Sequence, residues 1–347
     1  MWSMNEQNRM RLRLSPLAMA VYEEEEIALQ IKSPSDWACT IFENYYDHSP
    51  ASIGRTLANR TQILKEILGD ASLVRKLIES EKQQLLDQCQ WEKGDTLLPV
   101  RIQNNALETL MSCEKAEEKY YKKCGNYFCA VIESYCRLDW ATRQRVFFSP
   151  LFEQVTAAIQ QKKLIRVTIE SRRNQEGNKQ RTYLMRPCIL QTDKLASNWY
   201  VAGFSCQDED EQRNMKPASF RMASILDLKM LNKSTFVSSD QHRDLETQIT
   251  QKGIQFLVGE QIRIRVKMTE SGEKQYYRIA TLRPKGQRIS GTKDEWEFHC
   301  TPLQAERYFL RLGQECQILE PLSLRKKMAE IFSAAAEKYS EKEETVI

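Results

Sequence analysis

The sequence predicts an α+β multidomain protein: a largely helical N-terminal region opened by one short strand, a small antiparallel β-barrel, and an α/β C-terminal extension. Three observations predict it. Arg9-Met10-Arg11-Leu12-Arg13-Leu14 alternates cation and apolar side chain, the period of a strand. From Leu17 to about residue 148 the apolar positions recur mostly at helical spacing. After Ser149-Pro150 the texture changes to short runs separated by turn signals, as in a small twisted sheet or barrel.

The bulk properties fit that class. The chain has 347 residues, too many for one ordinary domain, with 41% hydrophobic and 28% charged content. No apolar run approaches the roughly 20 residues that span a bilayer, and the N-terminus has no apolar stretch of signal-peptide length. A cytoplasmic protein without membrane partners is expected. The ten cysteines are scattered without a CxxC pair, so reduced and mostly buried thiols are expected. With only His48, His242 and His299, a histidine base or metal cage is hard to assemble, and no metal or cofactor is expected.

Charge is uneven. Lys162 to Arg186 holds eight Lys/Arg against two Glu, and Arg263 to Lys293 holds nine against two. Such blocks suit phosphate partners, or solvated surface balanced by acidic runs such as Glu23 to Glu26.

Along the chain, the alternating strand puts Arg9, Arg11 and Arg13 on one face. Ser15-Pro16 then starts a helix, and Ser33-Pro34 starts a second one carrying Trp37, Ile41 and Tyr45. This strand-helix-helix order resembles the ribbon-helix-helix family, in which two chains pair their strands and the ribbon enters the DNA major groove. The resemblance implies groove-facing Arg9, Arg11 and Arg13, a dimer core of Met10, Leu12 and Leu14, and a homodimer. The same alternation also suits a terminal strand whose arginines face water. Three arginines without Asn or Gln fit backbone or single-strand binding at least as well as base readout.

Ser49-Pro50 opens another helix, ended near Gly69-Asp70. Residues 71 to 148 read as helical, with breaks near Gly94-Asp95 and Pro99. Tyr120, Tyr121, Tyr127, Phe128 and Tyr135 read as a buried helix face there. A helix, LFEQVTAAIQQKK, then leads into the strand LIRVTIESRR, followed by QRTYLMRPCIL, NWYVAGFSC and ASFRMASILDLKML.

That order, with Ser171-Arg172, Arg186-Pro187, Trp199-Tyr200-Val201 and Phe220-Arg221-Met222, resembles the WYL domain, an Sm-like barrel common in prokaryotic regulators. The resemblance covers about residues 149 to 235. It implies a polar pocket for nucleic acid or a nucleotide-like ligand, made by Ser171, Arg172, Arg186 and Arg221 with Tyr200 close by. Arginine suits that role because its planar fork holds phosphate with two parallel hydrogen bonds. Two departures stand out: Ala223-Ser224 where Asp-Arg is usual, and Ile169-Glu170 where the first strand commonly carries Tyr.

The last segment opens with the alternating run Gln261 to Lys267, continues through EWEFHCT, and ends in CQILEPLSLRKKMAEIFSAAAEKY. It resembles the C-terminal extension that follows many WYL domains. Arg263, Arg265 and Lys267 share one strand face, which could extend a phosphate track or protect an exposed edge. The domains expected are therefore 1–70, 71–148, 149–235 and 255–340.

Taken together, the architecture resembles the WYL accessory proteins of type VI-D CRISPR systems. That resemblance implies a non-enzymatic partner of single-stranded RNA and of an RNA-guided RNA-cleaving effector. The competing expectation is a ligand-sensing transcription regulator that binds DNA through the ribbon-helix-helix. A hydrolase lacks support, since there is no Gly-rich phosphate loop, HExxH or GxSxG.

Overall fold

The serine-proline steps start helices as their chemistry requires. In the computed structural model, which describes residues 2, 8–89, 94–171, 179–195, 197–207, 214–257 and 259–340, β1 (Arg9–Leu14) runs into α1 (Pro16–Ala28). Ser15 caps α1 by accepting from the Ala18 N–H, and Ser33 caps α2 (Pro34–Tyr45) by accepting from Asp36. Next come α3 (Ile53–Leu68), stopped by Gly69 at φ +63°, and α4 (Ala71–Gln88), capped by Asp70. β2 (Thr96–Arg101), α5 (Asn104–Ser112), α6 (Glu114–Glu117), α7 (Cys124–Cys136) and α8 (Trp140–Phe147) follow.

β2 corrects the sequence reading twice. It is a strand inside a stretch read as helical, and it pairs antiparallel with β1 in register from Arg9↔Arg101 to Leu14↔Thr96. The ribbon is thus completed within one chain, and the dimer expectation loses the unpaired edge on which it stood. Leu12 and Leu14 are fully buried in the chain's own core with Leu98, Val100, Trp37, Phe42, Tyr127 and Phe128, and Met10 packs against it.

Two buried glutamates tie this core to helix starts. Glu117 accepts from the N–H groups of Gly54 (3.0 Å) and Arg55 (2.9 Å), serving the first turn of α3, where Ser52 makes no side-chain cap. Glu133 accepts from the Ser15 N–H and hydroxyl, both at 2.7 Å. Glu25, also fully buried, accepts from Trp37 Nε1 (2.8 Å), Tyr135 Oη (3.0 Å) and Arg143 Nε (2.8 Å).

The chain divides into two compact units, Met1–Phe152 and Glu153–Ile347. α9 (Ser149–Gln160) carries it into the second. There β3 (Lys163–Ser171), β4 (Lys179–Thr192), β5 (Trp199–Cys206), β6 (Lys216–Arg221) and β7 (Ile225–Ser234) form an antiparallel sheet in the order β6-β5-β4-β3-β7. A 3-10 turn, Met222–Ser224, joins the two end strands. Ile165, Val167, Met185, Val201, Phe220 and Met222 are buried.

α10 (Ser239–Lys252), opened by a capping box of Ser238 and Gln241, lies in a stretch the sequence reading left unassigned. With the 3-10 turn Ile254–Phe256 it packs Leu245, Ile249, Ile254 and Leu257 onto Ala202 and Phe204 of β5.

A second sheet follows: β8 (Ile262–Met268), α11 (Glu270–Arg278), β9 (Gly286–Arg288), β10 (Glu295–Cys300), α12 (Pro302–Phe309), β11 (Cys316–Glu320) and α13 (Leu322–Ser340). Its strand order is β11-β8-β10-β9, over a core of Tyr276, Trp296, Phe298, Tyr308 and Phe309. No helix among the described residues is long and apolar enough to cross a membrane.

All ten cysteines are free thiols. Burial pushes Cys39, Cys89 and Cys188 up to about 11, and Cys129, Cys300 and Cys316 up to about 12. The thiolate is the nucleophile, so these groups are nearly all in the unreactive form at pH 8. Iodoacetamide at pH 8 is expected to label Cys129 and Cys300 slowly in the native chain and completely in guanidinium. Rapid native labelling of either, read by mass spectrometry, would contradict the packing.

Candidate nucleic-acid interface

Alternate residues of β5 face the same way, so Tyr200, Ala202 and Phe204 share the face that α10 partly covers. Register places the arginines beside them. Arg221 of β6 stands opposite Tyr200, which stands opposite Gln191 of β4, and Arg186 of β4 stands opposite Phe204. A bulge between Pro187 and Ile189 keeps Arg186 and Ile189 on this same face. Gly203 makes the close approach possible, since a Cβ there would lie 2.0 Å from the Arg186 carbonyl oxygen.

The structure therefore brings Tyr200 and Arg221 side by side but sets Arg186 apart. The Phe204 row lies four residue steps along β5 from the Tyr200 row, about 13 Å. The sequence reading had these arginines converge on one pocket. The register sets their backbone rows about 13 Å apart along β5, with Arg221 and Arg186 on opposite sides of that strand.

Arg186 and Arg221 are half-buried, and one Arg186 guanidinium N–H donates to the Phe236 carbonyl at 3.4 Å. Burial holds the Tyr200 hydroxyl above its ordinary value and the Asp193 carboxylate adds to that, while Arg221 and Arg307 of α12 act the other way. Tyr200 is thus a neutral hydroxyl at working pH, able to donate to a phosphate or base. Trp199 is half-buried at the start of β5. Ser171 ends β3 with its backbone paired to Lys179, and Arg172 lies outside the described residues.

Elsewhere the predicted residues separate into two groups. Arg9, Arg11 and Arg13 are exposed on β1, and the structure adds one the sequence reading missed: Arg101, exposed on β2 directly opposite Arg9. Like charges facing one another across a strand pair disfavour pairing unless an anion lies between or near them. Arg9, Arg11 and Arg101 line a shallow cleft with Ser35 and Pro99. Only the β2 register reveals Arg101, and Pro99 hid that strand.

The C-terminal cations each stand beside a carboxylate. Arg263 pairs with Glu297. Arg265 pairs with Glu295 (2.6 Å) and Glu320 (2.9 Å), and Lys267 with Asp294 (3.1 Å). β10 lies antiparallel to β8, so its Glu295 and Glu297 meet the cations of β8 on one face. The signal was present in the sequence as the alternation Glu-Trp-Glu-Phe facing Arg-Ile-Arg-Val.

The C-terminal half holds two sheets, with Arg186 and Arg221 on one face of the first. Residues 260–336 match the WCX domain, the domain associated with WYL, and the chain carries that domain. The whole chain is similar in fold to a CRISPR Cas-related protein known from a crystal structure, with a TM-score of 0.70, 20% identity, and coverage of 99% of this chain and 98% of that one. It also matches the proteasome accessory factor B/C (PafBC) of Arthrobacter aurescens at a TM-score of 0.31 and 14% identity, covering 97% of this chain and 51% of that one. No curated protein matches the sequence.

Proposed function

We propose that the chain is a non-enzymatic accessory protein that binds single-stranded RNA and modulates an RNA-guided RNA-cleaving CRISPR effector. The observation that carries this is the outer face of β4, β5 and β6, where Arg221 stands beside Tyr200 and Arg186 stands further along, opposite Phe204. Cations in two rows about 13 Å apart along β5, one of them beside an aromatic hydroxyl, suit successive parts of an extended polyanion. The strand order β6-β5-β4-β3-β7, with a 3-10 turn before the last strand, supports an Sm-like reading of the sheet. The fold likeness to a CRISPR Cas-related protein supports the biological setting.

One observation favours the second reading, a DNA-binding regulator. Arg9, Arg11, Arg13 and Arg101 line the exposed face of a two-stranded ribbon, an element that fits the B-DNA major groove.

A binding panel of single- and double-stranded RNA and DNA at 50 and 200 mM salt separates the two. Single-stranded RNA is expected to bind most tightly, with affinity falling as salt rises through release of counterions. Tighter binding to duplex DNA than to any single strand would overturn the first reading.

A further inference from the structure

Between β7 and α10 stands Phe236, its ring 75% exposed. A ring left in water on a slack loop would carry no message, but the chain on both sides of this one is fastened. The Thr235 N–H and hydroxyl both donate to the Lys162 carbonyl, at 2.8 and 3.2 Å. Val237 packs against the Phe204–Leu245–Ile249 cluster, and Ser238 is locked into the capping box of α10. The Phe236 carbonyl itself accepts from Arg186. The backbone is fixed while the ring projects into solvent.

The surroundings are cationic. Arg186 touches the residue's own carbonyl, Lys162 is exposed one hydrogen bond away, and Lys163 faces Ser234 in the β3–β7 register. An exposed, pre-positioned aromatic beside an arginine is the combination that captures an unpaired base: the π-face takes the base and the guanidinium takes the adjoining phosphate. A duplex keeps its base faces stacked inside and offers this ring nothing.

We propose that Phe236 is the base-stacking platform of the interface, holding one unpaired base next to a phosphate on Arg186. This rests on reading the sheet face as a single-strand site. It adds a residue that the strand pattern does not point to, because Phe236 lies in a connector.

The test uses the full chain with two probes, a twelve-residue oligouridylate and a ribose-phosphate chain of equal length without bases. Phe236→Ala and Phe236→Leu are each expected to weaken oligouridylate binding about tenfold or more, the usual loss for one stacked base. Phe236→Tyr is expected to bind like the parent, and the abasic chain to bind all four proteins alike. If Phe236→Ala binds oligouridylate as tightly as the parent while Arg186→Ala/Arg221→Ala does not, the stacking proposal falls and the sheet-face site stands. If Phe236→Ala weakens the abasic chain equally, the ring is structural and the proposal falls. If the parent binds no single strand, both fall.

Discussion

A chain carrying Arg186→Ala and Arg221→Ala together is expected to lose single-stranded RNA binding by about a hundredfold or more. Each arginine offers charge-assisted hydrogen bonds to phosphate, worth roughly 1.5–3 kcal/mol when the partner is removed. One such loss is about tenfold or greater in affinity. The two residues sit in different rows of the sheet, about 13 Å apart along β5, so their losses should be close to additive. The slope of affinity against salt should fall by between one and two units. Circular dichroism must show the variant folded; Ala202 and Phe204 beside these positions belong to an apolar cluster with Leu245 and Ile249. Parent-like affinity in a folded double variant would remove the sheet face as the site.

The second large effect concerns stability. Arg143→Ala is expected to destabilise the N-terminal unit by about 3–5 kcal/mol, the usual cost of stranding one partner of a buried ion pair. Glu25 is fully buried, and burial already holds its carboxyl above the ordinary range against the opposing pull of Trp37, Arg143 and Tyr135. Removing Arg143 takes away a 2.8 Å bond to Glu25, a second to Glu24 at 3.0 Å, and a bond to the Leu138 carbonyl. At roughly 2–4 °C per kcal/mol for a unit of this size, the melting transition should drop by about 10 °C. Glu25→Gln with Arg143→Met should cost less than the two single changes summed, because neither charge is then left alone. Additive losses in thermal melts would mean that the two groups do not act as a pair.

How much of this was legible in the sequence depended on the range of the interaction. Ser15, Ser33 and the alternation of Arg9 to Leu14 act over a few residues, and each produced the element it signalled. Trp199-Tyr200 and Phe220-Arg221 located β5 and β6 because short strands with turns between them carry their own punctuation. β2 was missed because Leu97, Leu98 and Pro99 break the alternation, and a proline belongs in a strand only at an edge or its start. α10 was missed because its two buried residues, Leu245 and Ile249, form too narrow a stripe among polar neighbours. The cationic rows were read by strand identity alone. Their separation depends on register, which local pattern does not carry.

Arg263 and Arg265 teach the complementary point. They share a composition with Arg186 and Arg221 and differ in what the fold places opposite them. A glutamate-bearing strand faces one set, and Tyr200 and Phe204 face the other. Local charge is therefore a poor guide to phosphate binding until the neighbouring strand is known.

The pairing of β1 with β2 inside one chain has a consequence for genetics. A ribbon built from two copies dissolves on dilution, and in a cell holding two alleles it mixes altered and unaltered strands. A ribbon closed by residues 96–101 of its own chain forms by a first-order step, whatever the expression level. An Arg11 or Arg101 substitution then alters only the ribbon of the chain that carries it. Unaltered molecules beside it keep an intact arginine face, so such an allele should behave as recessive at this surface.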